Sequence, residues 1–333
     1  MTPFDKVLRG ETLDAPASAL AFEAIMSGSV ARDDLAGFLR AMALRGPTVP
    51  EILGAATVMR AKMKSVAAPP GAVDLCGTGG DGKGTLNIST AVSFVVAAAG
   101  VPVAKHGNRN MSSKTGAADV LEALGARIDL APDAAAVCLR DTGLCFLFAQ
   151  AYHPAMKHVA EVRRQLGMRT IFNLLGPLSN PARVKRQLLG VYAREWVRPV
   201  AEALRELGAE RAWVVHGSDG MDEITTTAPT HVAELSDGRI IEREIAPEDA
   251  GLSRAAPDAL AGGTADTNAE ALVGVLAGTP GAYRDIVLIN AGAVLVVAGK
   301  VRDLREGAAL AAETINSGRA MQTLQRFIAA TNA

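Results

Sequence analysis

The first 66 residues place apolar side chains at the spacing of helix faces. One such face contains Leu35, Phe38, Leu39 and Met42. Gly46 and Pro47 end that helix, and a second begins near Pro50 and Glu51, because proline and an acidic residue both favour a first helical turn. The pattern therefore predicts a small all-helical domain at residues 1–66, followed by a proline-rich linker.

Beyond residue 71, short apolar runs alternate with helical stretches. Strands are predicted at residues 72–76, 101–104, 212–215 and 284–289, and helices at residues 89–99, 117–124, 198–207 and 302–315. Such alternation is typical of a mostly parallel sheet covered by helices. One hairpin stands apart at residues 231–244, where Asp237-Gly238 suits a two-residue turn. We therefore expect an α/β fold, with residues 71–333 as the larger domain.

Composition agrees with this fold class and limits the partners. Aromatic residues make up only 4% of the chain, so Ala, Leu and Val must build most of the core. The 34 basic and 35 acidic residues nearly balance, whereas a nucleic-acid-binding domain normally has a basic excess. Three cysteines without a C-x-x-C pair fit a reducing compartment. The longest apolar runs are shorter than the roughly 20 residues of a membrane-spanning helix, so we expect a soluble cytoplasmic protein.

A glycine-rich loop follows the first predicted strand. It reads Gly77-Thr78-Gly79-Gly80-Asp81-Gly82-Lys83-Gly84-Thr85. Its G-x-G-x-x-G spacing matches a dinucleotide-binding loop, but the next strand ends in Lys105 and His106 where that motif needs an acid. A Walker A motif is excluded because Gly84 replaces the hydroxyl residue that holds magnesium. Glycine N–H groups and the following helix can still bind a phosphate, although an ordinary strand–helix turn is the alternative.

Two further polar clusters follow predicted strands. The first, from Lys105 to Thr115, contains cations, amides and hydroxyls and suits a phosphorylated ligand at the carboxyl edge of an open sheet. The second is the pair Asp222 and Glu223, which at such an edge can hold Mg²⁺. Each cluster alone could also be a solvated turn. Residues 157–186 hold seven basic residues against one acid, which fits either an anionic substrate or a nucleic-acid surface.

Four motifs, in this order, resemble those of the anthranilate phosphoribosyltransferase family. They lie at residues 77–81, 105–108, 153–178 and 222–223, and the resemblance covers essentially the whole chain. It implies a small helical domain, completed by helices within about residues 160–185, and a larger α/β domain of nucleoside-phosphorylase-like architecture. It also implies a homodimer joined through the helical parts. The implied reaction transfers the phosphoribosyl group of 5-phosphoribosyl 1-pyrophosphate (PRPP) to the amine of anthranilate, with Mg²⁺, in tryptophan biosynthesis.

The resemblance also implies roles for individual residues. PRPP would be bound by Gly77, Gly80, Asp81, Thr85, Asn87, Ser89, Thr90, Lys105, Asn108, Ser113 and Ala117. Anthranilate would be bound by Gly77, Asn108 and Arg163, the last as a partner for its carboxylate. Magnesium would be bound by Ser89, Asp222 and Glu223. Ala117 stands where many relatives have serine, so only its backbone N–H could serve, and Asn110-Met111 is an unusual pair in the same loop.

No strong general base is expected, because an aryl amine is neutral and need not lose a proton before it attacks; positioning and electrostatics should carry the rate. Two alternatives stay open. A pyrimidine nucleoside phosphorylase-like enzyme would leave the acidic pair without an obvious role. A nucleic-acid-binding homologue without transferase activity would bind through the basic stretch at residues 157–186. We further expect the apolar face at Leu35, Phe38, Leu39 and Met42 to contribute to a dimer contact.

Overall fold

The computed structural model describes residues 1–109 and 115–333, and its N-terminal part is helical, as predicted. The helices are α1 (Pro3–Leu8), α2 (Ala15–Met26), α3 (Arg32–Arg45) and α4 (Val49–Lys62). Their starts have local causes. The Asp14 side chain accepts a hydrogen bond from Ala17 N–H at the start of α2. At the start of α4, Glu51 accepts one from the Thr48 N–H at 2.8 Å.

The larger part of the chain alternates strands and helices. The strands are β1 (Val73–Gly77), β2 (Val103–Gly107), β3 (Leu144–Phe148), β4 (Arg186–Gly190), β5 (Arg211–Gly217), β6 (Thr230–Ser236) and β7 (Arg239–Ile245). The helices are α5 (Ile88–Ala98), α6 (Ala117–Ala123), α7 (Pro132–Thr142), α8 (Ala149–Tyr152), α9 (Lys157–Leu166), α10 (Phe172–Leu175), α11 (Val197–Glu206), α12 (Ala265–Leu276), α13 (Ala282–Val297), α14 (Leu304–Asn316) and α15 (Arg319–Thr331). Short 3-10 turns lie at Pro154–Met156, Arg194–Trp196, Pro247–Ala250 and Pro257–Leu260.

The strands form one sheet in the order β3-β2-β1-β4-β5-β6-β7. The first five are parallel, and β6 and β7 add the predicted hairpin in antiparallel pairing. The chain extends the sheet from β1 towards β3 on one side and from β4 outward on the other. The switch point of this topology therefore lies between β1 and β4, which is where open α/β sheets bind ligands. There Gly77 pairs with Gly190 at the carboxyl ends of the two strands.

Two hydrophobic cores lie on opposite faces of the sheet. Successive strand residues belong to different cores: Leu188 packs in one and Leu189 in the other. The first core is covered by α5, α13 and the C-terminal helices. The second joins the N-terminal helices to α9, α10 and α11, with Val159 and Val162 of α9 among its buried members. The α/β class with a small helical part is confirmed.

One predicted strand is wrong. Residues 284–289 lie in the helix α13, and every residue from Ile286 to Val297 is buried. A helix that is buried on all sides shows no periodic apolar face, so its sequence looks like that of a buried strand. Two real strands, β3 and β4, had no prediction. In the part of the chain that the structure describes, no helix is long and apolar enough to span a membrane.

The predicted dimer face is also corrected. Its four members, Leu35, Phe38, Leu39 and Met42, are no more than 2% exposed within their own chain. They belong to the second core, together with residues of the other N-terminal helices, α9 and α10, and α3 contacts α1 and α9 directly. The first 66 residues do not bury this face alone, and helices from much later in the chain complete its packing. Leu8 and Leu20, on α1 and α2, are exposed instead.

Candidate active site

The acidic pair lies at the switch point of the sheet. Asp222 and Glu223 follow β5 and are half-buried. Asp222 sits over the paired ends of β1 and β4, so closely that a Cβ atom at Gly77 would meet its carboxylate and one at Gly190 would meet its backbone carbonyl. Both glycines are therefore needed for this approach. Sequence reasoning missed Gly190, whose only signal is a glycine at the end of an apolar run.

The glycine loop is tied to the same pair. The backbone N–H of Gly79 donates to Asp222 Oδ2 at 2.7 Å, across 143 residues of sequence. The loop is anchored to β4 as well, because Thr78 N–H donates to the Gly190 carbonyl at 2.9 Å. Gly79 and Gly80 have φ values of 68° and 76°, which favour glycine. The structure thus brings the first and fourth sequence motifs into direct contact.

The carboxylates at this point repel one another. Burial raises the pKa of Asp222, and the negative charge of Asp81 raises it further. Burial also raises the pKa of Glu223, followed by the charge of Asp222, whereas Lys105 acts in the opposite direction. Partly buried carboxylates whose charges are incompletely compensated favour a bound cation. The donor set of Asp222, Glu223 and the Ser89 hydroxyl is made of oxygen atoms, which fits Mg²⁺.

The described protein side chains do not form a complete metal centre by themselves. Within residues 1–109 and 115–333, no group of three or more His, Cys, Asp or Glu side chains is arranged to hold a metal ion. Mg²⁺ commonly keeps several waters and uses only one or two carboxylates together with substrate phosphates. The acidic pair therefore fits a magnesium ion that arrives with a phosphorylated ligand.

Lys105 is a buried cation in the middle of β2. It is 3% exposed, and its Nζ donates to Ser89 Oγ at 3.0 Å and to the Leu75 carbonyl at 2.8 Å. Next to Ser89, the hydroxyl of Thr90 is buried without a hydrogen-bond partner among the described protein atoms. A buried donor of this kind at the start of α5 suits an anionic ligand. Lys105, Ser89 and Thr90, all predicted for PRPP, therefore share one region.

The remaining residues predicted for PRPP are placed around this region. The Asn87 side-chain oxygen accepts a hydrogen bond from Asn268 at 2.8 Å. Thr85 forms an isolated bridge with Ala261. Asp81 accepts the Lys83 N–H at 3.1 Å. The carbonyl of Gly80 accepts a hydrogen bond from the Arg169 guanidinium, and Ala117 is the first residue of α6. Ser113, with Asn110 and Met111, lies outside the described residues.

Arg163 lies on α9, and its surroundings differ from those of its neighbour Arg164. Its guanidinium is centred 5.3 Å from the Phe172 ring, and burial lowers its pKa. Arg164 instead points outward and pairs with Glu161 at 2.6 Å. In the described part of the chain, no hydrogen bond or ion pair joins Arg163 to the glycine loop or to Asn108. It is Arg169, not Arg163, that contacts the glycine loop.

A pair of buried histidines joins the second and third motifs. The Nε2 atoms of His106 and His153 are 3.2 Å apart, and His106 Nδ1 lies 3.1 Å from the Gly176 carbonyl. Burial lowers the pKa of His106 to about 3 and that of His153 to about 4, so both rings are neutral at neutral pH. Asp74, which is fully buried, accepts a hydrogen bond from the backbone N–H of His106 at 3.0 Å. Neither Asp74 nor His153 had a predicted role of its own.

The basic stretch at residues 157–186 does not form one continuous cationic surface. Lys185 pairs with Glu210 at 3.1 Å. Arg186 donates to the Ala298 carbonyl at 2.6 Å, and Arg183 to the Arg60 carbonyl. Most of its cations therefore pair separately with local acids or backbone carbonyls, and Arg163 is half-buried.

The fold and this site define a glycosyl transferase built from a helical bundle and an α/β domain. The model of the glycosyl transferase family, a/b domain, matches residues 69–321, and that of the helical bundle domain of the same family matches residues 4–63. An anthranilate phosphoribosyltransferase of Rhodopseudomonas palustris (strain HaA2) is 58% identical over 98% of this chain and 97% of that protein. The chain belongs to the anthranilate phosphoribosyltransferase family.

Solved structures agree with this membership. The crystal structure of the anthranilate phosphoribosyltransferase from Thermus thermophilus matches with a TM-score of 0.95 and 43% identity, covering 100% of both chains. The enzyme from Saccharomyces cerevisiae, in complex with PRPP and Mg, matches with a TM-score of 0.91 and 27% identity, covering 99% of this chain and 96% of that chain. The resemblance found in the sequence motifs is thereby confirmed.

Proposed function

We propose that this protein is a cytoplasmic enzyme of tryptophan biosynthesis that converts PRPP and anthranilate to N-(5-phosphoribosyl)anthranilate and pyrophosphate. One observation carries the proposal: the hydrogen bond from Gly79 N–H to Asp222 Oδ2, which joins the glycine loop to the acidic pair. A loop suited to phosphate and a pair suited to Mg²⁺ lie together at the switch point, as a phosphoribosyl transfer requires. Family membership supports the same reaction.

The phosphorylated substrate would lie over the glycine loop and the start of α5. Backbone N–H groups of the loop and the positive end of α5 would contact its phosphate oxygens. Lys105 would add a fixed positive charge, and Thr90 would donate its unpartnered hydroxyl. The other residues assigned to this substrate are Gly77, Gly80, Asp81, Thr85, Asn87, Ser89, Asn108, Ser113 and Ala117.

Magnesium would be held by Ser89, Asp222 and Glu223. When bound, it would supply charge neutralisation for the leaving pyrophosphate. The crowded carboxylates support this assignment, because a cation would offset their mutual repulsion. The yeast relative, whose structure is a complex with PRPP and Mg, points in the same direction.

Anthranilate would bind between Gly77, Asn108 and Arg163. The guanidinium of Arg163 is free of the ion pair that occupies Arg164, so it is suited to bind a carboxylate. The amine would attack as a neutral group, and His106 and His153, which are also neutral, are not needed as bases. Positioning of the two substrates and stabilisation of charge would therefore supply most of the rate.

We also propose two domains and a dimer. Residues 1–66 with helices from residues 160–185 would form the helical domain, since they share the second core, and residues 71–333 would form the rest. Two copies would associate through the N-terminal helices, where Leu8 and Leu20 are 55% and 69% exposed. Sedimentation at micromolar protein should give a dimer, and a Leu20→Glu variant should shift it towards monomer. A wild-type monomer would refute the assembly.

The activity is tested by following anthranilate fluorescence. The purified protein should consume anthranilate only when both PRPP and Mg²⁺ are present. Omission of either component, or chelation of the metal, is the matched control. Phosphorolysis of uridine and a gel-shift assay with duplex DNA would be run in parallel. If the folded protein does not consume anthranilate, the proposal is wrong. Activity on uridine would then identify a phosphorylase, and a shift of DNA would identify a nucleic-acid-binding protein.

A further inference from the structure

One amide side chain lies in the middle of an otherwise apolar stretch of the helix α13. Every residue from Ile286 to Val297 is buried, and Asn290 among them is 1% exposed. A buried amide destabilises a core unless its polar atoms are hydrogen-bonded, so the partners of Asn290 indicate its role. The helix α13 supplies none of the residues assigned to PRPP, anthranilate or magnesium.

The main partner of Asn290 belongs to the loop that carries the acidic pair. The Asn290 side-chain oxygen accepts a hydrogen bond from Ile224 N–H at 3.1 Å, and Nδ2 donates to the Ile224 carbonyl at 2.7 Å. Nδ2 also donates to the Ile286 carbonyl of α13 at 2.9 Å. Both amide donors and the oxygen are therefore engaged. Asn290 thus binds both backbone polar groups of a residue 66 positions away in the sequence.

Ile224 follows Glu223 directly, so its contact with Asn290 acts on the backbone beside the acidic pair. Ile224 is fully buried, and bulk water cannot replace Asn290 as the partner of its N–H and carbonyl groups. Loss of the Asn290 amide would leave these two buried groups without partners. The loop would then have to move to satisfy them, because an unpaired buried polar group is costly.

The first part of the same loop is held by its own side chains. Asp219 accepts a hydrogen bond from Met221 N–H at 3.1 Å and another from the Thr225 hydroxyl at 2.6 Å. These contacts fix the shape of the loop, but they do not relate it to a helix of the core. The contact between Ile224 and Asn290 provides that relation.

The helix α13 also contacts the segment that contains Ser89. The Tyr283 hydroxyl donates to the Asn87 carbonyl at 3.0 Å, at the start of α5 and two residues before Ser89. Tyr283 and Asn290 are seven residues apart, which is about two helical turns and places them on the same face. One face of α13 therefore contacts both segments that supply the proposed magnesium ligands.

We propose that Asn290 is a positioning residue, which sets the place of the acidic pair relative to Ser89. This inference rests on the proposed function, in which Asp222, Glu223 and Ser89 hold magnesium. Asn290 touches neither metal nor substrate in this assignment and acts through the Ile224 backbone. Replacing a residue that orients metal ligands typically costs about 10- to 100-fold in metal affinity or activity.

The test uses Asn290→Leu in the full chain, because leucine has a similar size and removes all three hydrogen bonds. Thr314→Val is the matched control. Thr314 is fully buried on α14, which packs against α13, and its hydroxyl donates to the Leu310 carbonyl of its own helix at 2.7 Å. Both variants therefore remove buried hydrogen bonds from the same core, but only the first affects the loop that carries the acidic pair.

Hydrogen exchange measured by mass spectrometry, without substrates or metal, reports the loop directly. In Asn290→Leu, the amides of residues 218–226 should exchange at least about tenfold faster than in wild type, while those of β1 and α5 change by less than about threefold. Thr314→Val should show no such selective change. Asn290→Asp keeps an acceptor for Ile224 N–H but loses the amide donors, so its effect should be selective and smaller.

Kinetics then connect the loop to the metal. In Asn290→Leu, the Mg²⁺ concentration for half-maximal turnover should rise, or kcat should fall, by about 10- to 100-fold. The KM for anthranilate should stay within about twofold of the wild-type value. Thr314→Val should leave all three quantities within about twofold.

The possible outcomes separate this inference from the proposed function. It is wrong if Asn290→Leu accelerates exchange throughout the chain, if neither Asn290 variant folds, or if selective exchange leaves both kcat and the Mg²⁺ dependence unchanged. The double variant Asp222→Asn, Glu223→Gln is measured alongside. If that variant also keeps the wild-type Mg²⁺ dependence, the proposed magnesium site itself is wrong, and the role of Asn290 is refuted with it.

Discussion

Asp222 packs against Gly190 so closely that any side chain at position 190 would overlap the Asp222 backbone. Gly190 ends β4 and pairs with Gly77 at the end of β1. The Asp222 carboxylate in turn lies against Gly77 and accepts the Gly79 N–H at 2.7 Å. The position of Asp222 therefore depends on the two glycines that end β1 and β4, and not on its own loop alone.

Gly190→Ala should reduce turnover by about 100-fold or more. The added methyl group would collide with backbone atoms of Asp222, which cannot yield as the tip of a flexible side chain could. Because misplacement by about 1 Å can cost about 10²-fold in rate, the main effect should fall on kcat. Steady-state kinetics with both substrates would measure it.

Gly37→Ala is the matched control. Gly37 lies in α3, where an added Cβ would make only an ordinary contact of 3.4 Å with Leu8. Alanine favours the helix interior by about 0.5–1 kcal/mol, so this variant should be as active as wild type and slightly more stable. Equal kinetics for the two glycine variants would contradict the role given to Gly190.

The double variant Asp222→Asn, Glu223→Gln should lose most of its turnover at limiting Mg²⁺ while it keeps its fold. Both substitutions keep the shape of the side chains and remove the charges that would bind the metal. The measurement is anthranilate consumption across a Mg²⁺ titration, with circular dichroism as the check on folding. An unchanged magnesium dependence would remove the pair from the metal site.

Arg163→Ala should raise the KM for anthranilate by roughly 10- to 150-fold, provided that KM follows binding. This range corresponds to about 1.5–3 kcal/mol for a charge-assisted contact in a partly dry site. The KM for PRPP should change little, because no hydrogen bond or ion pair joins Arg163 to the glycine loop in the described part of the chain.

Arg164→Ala provides the comparison, since Arg164 is already paired with Glu161 on the outer face of α9. It should leave both KM values nearly unchanged. If Arg163→Ala instead shifts both KM values equally, or neither, the assignment of Arg163 to anthranilate is wrong.

Glu51 should make the stability of the helical part depend on pH. Burial alone would raise its pKa, but hydrogen bonds from Arg45 and from the Thr48 and Leu13 N–H groups outweigh burial and lower it. A lowered folded-state pKa stabilises the protein above the unfolded-state value, near 4.3, and this stabilisation is lost as pH falls through the folded-state pKa.

Glu51→Gln should therefore lower the free energy of unfolding by about 1.5–3 kcal/mol near pH 7. The difference from wild type should shrink as the pH is lowered below about 4. Urea unfolding of both proteins at several pH values would measure it. A difference that stays constant through the acid range would show that the Glu51 charge does not contribute.

The predicted site elements came from short stretches of sequence. The glycine loop and the acidic pair each follow a strand, Lys105 lies within β2, and parallel strands end at one edge of a sheet. That rule was enough to predict that they would meet. It gave no information on Gly190, because a glycine at a strand end acquires meaning only when its pairing partner and the loop that crosses it are known.

The sequence by itself determined the helical N-terminal segment, the β6–β7 hairpin, the α/β class and the order of the motifs, because caps, turns and periodicity act over a few residues. Only the tertiary structure decided that residues 284–289 lie in a buried helix, since continuous apolar runs do not distinguish a core helix from a core strand. It alone placed Asp222 against Gly79, 143 residues away, and His106 against His153. Such contacts depend on which strands pair, and pairing between distant segments is decided by the packing of the whole sheet.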